Sequence, residues 1–102
     1  MKVIIVGGGR TGSHLAFLLH TQQHEVRLID PRPDTLANLH RELPTEVIFE
    51  GDGTDPAVLE AVGVREAHVL AAVTPDDADN LVVCGLARQV YGVRRIIARI
   101  NN

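Results

Sequence analysis

Short clusters of β-branched and aliphatic residues recur along the chain: KVIIV at 2–6, EVRLID at 25–30, EVIFE at 46–50, HVLAAV at 68–73 and RRIIARI at 94–100. Each has the length of a single strand. Between them, apolar positions fall at helical spacing. Gly12, Leu15, Ala16 and Leu19 share one face of a helix read over 12–20, and Leu36, Leu39 and Leu43 do so over 32–43. Asp55-Pro56 reads as an N-cap followed by proline at the first helical position, with Gly63 at the far end. Thr74-Pro75 repeats that opening, and Gly92 closes the longest helix. Strict alternation of strand and helix predicts a doubly wound, Rossmann-like α/β fold, a parallel β-sheet with helices on both faces. The unit length also suits a leucine-rich solenoid, but no L-x-x-L-x-L pattern recurs and the capping residues differ from unit to unit.

Composition narrows the class. A chain of 102 residues is read as one lobe, residues 1–102. With 45% hydrophobic residues but only 3% aromatic, the core must be Val, Ile, Leu and Ala, as in a buried parallel sheet. A net charge of −3 with no basic stripe excludes a nucleic-acid-binding surface. The single cysteine, Cys84, forms no internal disulfide and suits a reducing compartment. No apolar run approaches the ~20 residues of a membrane span. Met1-Lys2 leads straight into a strand with no room for a signal peptide. These features read as a cytoplasmic chain without direct membrane insertion.

Gly7-x-Gly9-x-x-Gly12 stands between a predicted strand and a predicted helix. Gly7 would permit the tight turn, Gly9 would let a phosphate approach the backbone, and Gly12 would let helix and strand pack closely. The helix N-terminus then offers free N–H groups and a partial positive charge to an anion. Asp30 ends the second strand, where its carboxylate would accept from both ribose hydroxyls and repel a 2′-phosphate. NAD, ATP, ADP or AMP are therefore favoured over NADP. The competing reading makes the glycines a tight turn only and Asp30 a cap for the helix near Pro31; glycine loop and acid together favour the nucleotide. Arg32 reads as a solvated side chain flanking the adenosine, although it would also favour a phosphate. In EGDGT at 50–54, Asp52 either accepts from an adenine amino group or forms a Gly-Asp-Gly turn, with Thr54 or Asp55 capping the next helix.

Gly7-x-Gly9-Arg10-x-Gly12, LIDPRP, FEGDGTD, AAVTPDDADNL and YGVRRIIARINN together resemble the nucleotide-binding lobe of the regulator-of-potassium-conductance family, also called KTN or TrkA-N domains. The resemblance spans nearly the whole chain. GDGT, the run from Thr74 to Asn80 and the ARINN ending are its most telling parts, since general dehydrogenase Rossmann domains do not usually carry this set. The resemblance implies a non-enzymatic cytoplasmic sensor of NAD(H) or an adenine mononucleotide (ATP, ADP or AMP). Such a sensor is held at the inner face of the membrane by a potassium channel or transporter subunit. It further implies that Arg10 reaches terminal phosphates, that Thr74 contacts the ribose region and that Arg99 is the basic residue ending strand five. Thr11, Gly53 and Thr54 join the cofactor-binding set with the motifs that contain them. Family lobes continue with a further helix and strand, so this chain is read as a fragment of a longer one.

Other chemistry-bearing residues carry less. His20 and His24 have the spacing of two metal ligands on a helix face, but the helix ends near Gln22 and no third ligand is evident. His14, His40 and His68 are scattered. Asp76, Asp77 and Asp79 complement the dipole of the fourth helix, and Cys84 reads as a small buried hydrophobe. The alternative function, the cofactor half of an NAD-dependent oxidoreductase, needs a second domain to supply substrate and an acid or base. A degenerate lobe serving only assembly is disfavoured by the intact glycines and Asp30.

The fourth helix predicts self-association. Leu81, Val82, Val83, Cys84, Leu86, Ala87 and Val90 surround NLVVCGLARQVY almost completely, whereas one face suffices to cover a sheet. The expectation is a homodimer, or a higher ring, through helix 80–91, with Val82, Val83 or Leu86 near a two-fold axis. Burial under a following segment of chain is the alternative cover.

Overall fold

The computed structural model describes residues 1–102. Strand and helix alternate throughout: β1 (Lys2–Val6), α1 (Arg10–Thr21), β2 (Glu25–Asp30), α2 (Pro33–Glu42), β3 (Ile48–Glu50), α3 (Pro56–Ala61), β4 (Val69–Ala72), α4 (Asp77–Gln89) and β5 (Arg95–Ala98). The five strands form one sheet in the order β3-β2-β1-β4-β5, with every pair parallel. The doubly wound Rossmann-like expectation is therefore met. β3 is shorter than its apolar run, because Thr45–Val47 forms a 3-10 turn that turns Val47 into the core.

Strand alternation sorts the core into two layers. Ile4, Val6, Ile29, Leu70 and Ala72 point to one face, under Leu59 and Val62 near α3 and Val83 and Ala87 of α4. Val3, Ile5, Val26, Leu28 and Ala71 point to the other, under Ala16 of α1 and Leu36 and Leu39 of α2. The two-residue period of a strand sends successive side chains to opposite helical layers. Each fully buried aliphatic contributes about 1.5–3 kcal/mol through area removed from water.

Two expectations about α4 need correction. Its cap is Asp76, whose carboxylate accepts from Asp79 N at 3.0 Å, and not Thr74. The Thr74 hydroxyl is drawn instead to Asn80 Oδ1, at 2.8 Å, which leaves Pro75 outside the helix. Val83 is completely buried against the sheet, so it has no surface to offer a dimer axis. Leu81 and Val82 do stand outward, 72% and 48% exposed, and Leu86 is half-buried.

After β1 the chain winds to one side through β2 and β3. After β3 it crosses to build β4 and β5 on the other side. The carboxyl ends of β1 and β4 therefore meet at the topological switch point, where open parallel sheets leave a crevice.

Candidate functional site

The crevice lies there, enclosing about 170 Å³ between the end of β1, the β2–α2 turn, the β3–α3 loop and the β4–α4 loop. Hydrogen bonds that continue the ladders past the strand ends set its floor. Gly7 N donates to Ile29 O at 2.9 Å, Gly51 N to Asp30 O at 3.2 Å and Val73 N to Val6 O at 2.8 Å.

The glycines differ in what requires them. Gly7 has φ +116°, and a Cβ there would come within 2.8 Å of the Val73 backbone. A Cβ on Gly12 would drive into the Gly7 carbonyl oxygen, so helix and loop pack in direct backbone contact. At Gly9 a Cβ would meet no protein atom within 4 Å. Nothing inside the protein demands glycine at that position; the bare backbone faces outward at the opening of α1. That opening has Gly9 as its N-cap, no side-chain cap and no acid in its first turn. By contrast, Asp55 and Asp76 cap α3 and α4 through their carboxylates. Uncapped N–H groups at the positive end of a twelve-residue helix are a seat for a phosphate.

Asp30 is 1% exposed, and its carboxylate is fully hydrogen-bonded. Oδ2 accepts from Gly8 N at 2.8 Å and from Arg32 Nη2 at 2.8 Å. Oδ1 accepts from Arg32 N at 2.8 Å and from Arg32 Nε at 3.1 Å. Burial alone would push its pKa up. The Arg32 side chain, the N–H groups of Arg32 and Gly8 and the Arg32 charge outweigh that, holding the carboxyl below its ordinary value. Arg32 is thus not a freely solvated side chain: it forks onto Asp30, and that pairing raises its own pKa.

Asp52 adopts the turn arrangement, Oδ1 accepting from Thr54 N at 2.9 Å and from Thr54 Oγ1 at 2.8 Å. Gly53 is buried against Val6, whose side chain fills the place of a Cβ. Thr74 is held by Asn80, a side chain only 1% exposed. Asn80 Oδ1 accepts from Thr74 N at 3.0 Å and from Thr74 Oγ1, while its Nδ2 donates to Thr74 O at 3.0 Å and to Arg99 O at 3.1 Å. Asn101 adds a second tie, donating from its backbone N and its Nδ2 to Asp77 Oδ1, each at 2.8 Å. These bonds hold the Asp77 carboxyl below its ordinary pKa.

Gly7, Asp30, Arg32, Asp52, Gly53, Thr54 and Thr74 therefore line one crevice. Arg10 and Gly9 do not; they border an adjoining groove between α1 and α2 with Ser13, His14 and Arg41. Thr11 is exposed on the first turn of α1, and Gly12 is buried under the loop. Arg99 is exposed and lines neither cavity; its backbone N–H donates to Ala72 O and its carbonyl accepts from Asn80, while its charge helps lower the Asp77 pKa. Sequence reasoning missed Gly8, whose N–H fixes Asp30, and Asn80. The signal for Asn80 was present, since 80, 83 and 87 recur at helical spacing on the inward stripe. Cys84 is half-buried, and burial raises its thiol pKa, the opposite of a reactive thiolate. His24 Nδ1 meets the N-terminal amine at 3.1 Å.

Charge divides the site. Asp30, Asp52, Asp76 and Asp79 crowd the crevice, with Arg32 the only cation lining it, while the uncapped helix end and Arg10 lie on the glycine-loop side. An anionic group is favoured at the loop and hydroxyl or amino donors in the crevice.

A family model described as the TrkA-N domain matches residues 3–102. A Trk system potassium uptake protein TrkA homolog of Methanothermobacter thermautotrophicus is 43% identical over 102 residues, covering all of this chain and 46% of that protein. The chain thus spans about half the length of that relative, and less of some others. Among solved structures, the Shewanella denitrificans Kef CTD in its AMP-bound form superposes with a TM-score of 0.83 at 27% identity, covering 100% of this chain and 60% of that one. GsuK bound to ADP superposes with a TM-score of 0.79 at 26% identity, covering 96% of this chain and 24% of that one. With the switch-point crevice, the bare helix end and the buried strand-end acid in place, the family match over residues 3–102 identifies the chain as a member of the TrkA-N domain family.

Proposed function

We propose that this TrkA-N domain is a nucleotide sensor, taking NAD(H) or an adenine mononucleotide with its ribose at Asp30 and its phosphates on the Gly9–Arg10 end of α1. The observation that carries the reading is Gly9. Its backbone is bare although no neighbouring protein atom requires it, and it opens an uncapped helix. Asp52 Oδ1 is spent on Thr54, so any contact with adenine falls to its other oxygen. Arg10, exposed at the head of α1, is the group for a terminal phosphate. AMP and ADP in the two structural neighbours support an adenine nucleotide as the ligand.

Binding serves regulation in this reading, not turnover. The carboxylate assigned to the ribose is held below its ordinary pKa by Arg32 and the Gly8 N–H, an acceptor for hydroxyls and not a proton donor. The potassium-uptake relatives support a potassium channel or transporter subunit as the partner. No helix is long and apolar enough to cross a membrane; the domain would reach the inner face of the membrane through that partner.

The test is thermal unfolding with added nucleotide. A ligand at a hundredfold excess over its Kd stabilises by about 2.7 kcal/mol, a shift on the order of 10 °C for a domain of this size. NAD+, ADP or AMP should produce it, and NADP+ much less. Equal shifts with NAD+ and NADP+ would refute the role given to Asp30; no shift with any of them would refute the sensor.

Self-association is part of the proposal. Leu81 and Val82 expose apolar surface on α4, and Val90 extends it at 54% exposure. A homodimer through this helix, or a ring built on it, would cover them. Light scattering should report a dimer at high micromolar concentration and a monomer for Val82→Glu, because an unpaired charge is not desolvated cheaply. A monomeric wild type would defeat this part alone.

A further inference from the structure

A carboxylate offers about four lone-pair positions to donors, and at Asp30 the protein fills all four. Two belong to backbone N–H groups, those of Gly8 and Arg32, fixed by the glycine loop and the start of α2. The other two belong to the Arg32 guanidinium, which reaches both oxygens from a long side chain that is 46% exposed. A vicinal diol seeks the same two oxygens, with the same forked pair of donors.

We infer that Arg32 competes with the ribose: its guanidinium occupies the diol-accepting positions of Asp30 and must swing away before a ribose diol can seat there. This rests on the sensor reading above and adds a specificity-determining residue to it. The backbone donors remain throughout and keep the carboxylate oriented, so the guanidinium is the only exchangeable partner. The charge it leaves uncompensated stays ionised through the Gly8 and Arg32 N–H groups and the two incoming hydroxyls. Arg32 thereby lowers affinity for every ribonucleotide by the same factor and leaves ligands lacking the diol unaffected, since nothing in them calls on the positions it fills. An ordinary reading of a cation in a nucleotide site has the opposite sign, since it predicts that removing Arg32 weakens binding.

The experiment is calorimetric titration of the chain, wild type and Arg32→Gln, with adenosine, AMP, ADP and 2′,3′-dideoxy-AMP. A half-exposed ion pair of this kind is worth up to about a fivefold change in affinity. Arg32→Gln should tighten adenosine, AMP and ADP by roughly that same factor while leaving the dideoxy nucleotide unimproved. Arg32→Lys, which keeps the charge but loses the fork, should fall between the two and guards against a poorly folded glutamine variant. Weaker or unchanged adenosine binding in both variants overturns the inference, as does a gain shared by the dideoxy probe. Those outcomes leave the sensor reading intact, because the wild type still binds. A wild type that binds none of the four overturns the sensor reading and this inference with it.

Discussion

Gly12→Ala should lower the melting temperature by about 15 °C, although alanine normally favours a helix over glycine by about 1 kcal/mol. The sign reverses because the added Cβ points into the Gly7 carbonyl oxygen, a backbone atom fixed at the end of the central strand, with the Val73 side chain also close. Forcing an extra carbon into such a contact costs about 3 kcal/mol. Gly9→Ala, three residues away in the same motif, should shift stability by less than about 1 kcal/mol, the difference between two N-cap residues. Its φ of −71° is open to any L-residue, and a Cβ there meets nothing. Urea unfolding of the two variants separates a packing glycine from a binding one. Comparable losses at both positions would show that Gly9 has a structural duty. The bulkier Gly9→Val should keep the fold yet abolish the nucleotide-induced shift, and retained binding would place the phosphate elsewhere.

Asn80→Ala should be the most destabilising truncation outside the aliphatic core, by about 3–4 kcal/mol. The side chain vanishes from a position 1% exposed; the Thr74 N–H, the Thr74 hydroxyl and the Arg99 carbonyl each lose a partner, while the Thr74 carbonyl keeps Asn101 Nδ2 at 3.1 Å. Buried polar groups left unpaired cost more than the bonds they formed had contributed. Asn80→Asp separates shape from chemistry. It preserves the acceptor toward Thr74 but sets a second oxygen against two carbonyl oxygens, which only a protonated carboxyl can satisfy. Its folded pKa is therefore raised, so stability is present below the unfolded value of about 4 and lost as pH rises through the folded one. The deficit against wild type should be smallest near pH 4 and largest at neutrality, read by chemical denaturation across that range. A pH-independent deficit would mean that Asn80 acts by volume alone.

The sheet and its helices were legible because each unit of chain carries a strand-length apolar run and then a helix-period face, two patterns that do not imitate one another. Helix openings were less so. Thr74-Pro75 and Asp76 with Asp79 are overlapping cap signals in one segment, and the choice between them is made by Asn80, which pulls the Thr74 hydroxyl inward. Val83 was read as outward for a related reason. Taking Asn80 as the polar start of α4 hides that it belongs to the buried stripe with Val83 and Ala87. At the site, residue types and loop positions were readable, but partners were not. Asp30 and Arg32 lie two apart, a spacing that in an extended strand would place both on one side. Arg32 is still extended at the N-cap of α2, and its side chain reaches back from there to fork onto the carboxylate. Arg99 follows β5 as expected, yet its exposed side chain lines neither cavity of the site.

The strand order also distributes mobility across the crevice. β1 is hydrogen-bonded along both edges and, apart from Lys2, buried on both faces, so exchanging its amides with solvent requires opening the whole sheet. β3 is a three-residue edge strand with no fully buried member, and it can detach at far lower cost. Local opening there would loosen the wall built from Gly51 to Thr54 while Gly7, and Asp30 on its backbone donor Gly8, stay in register. With the phosphates on the glycine-loop side, as proposed, they would sit beside the strand expected to exchange slowest and the opposite wall on one expected to exchange fast, so a nucleotide could be anchored at one end before the other had closed around it.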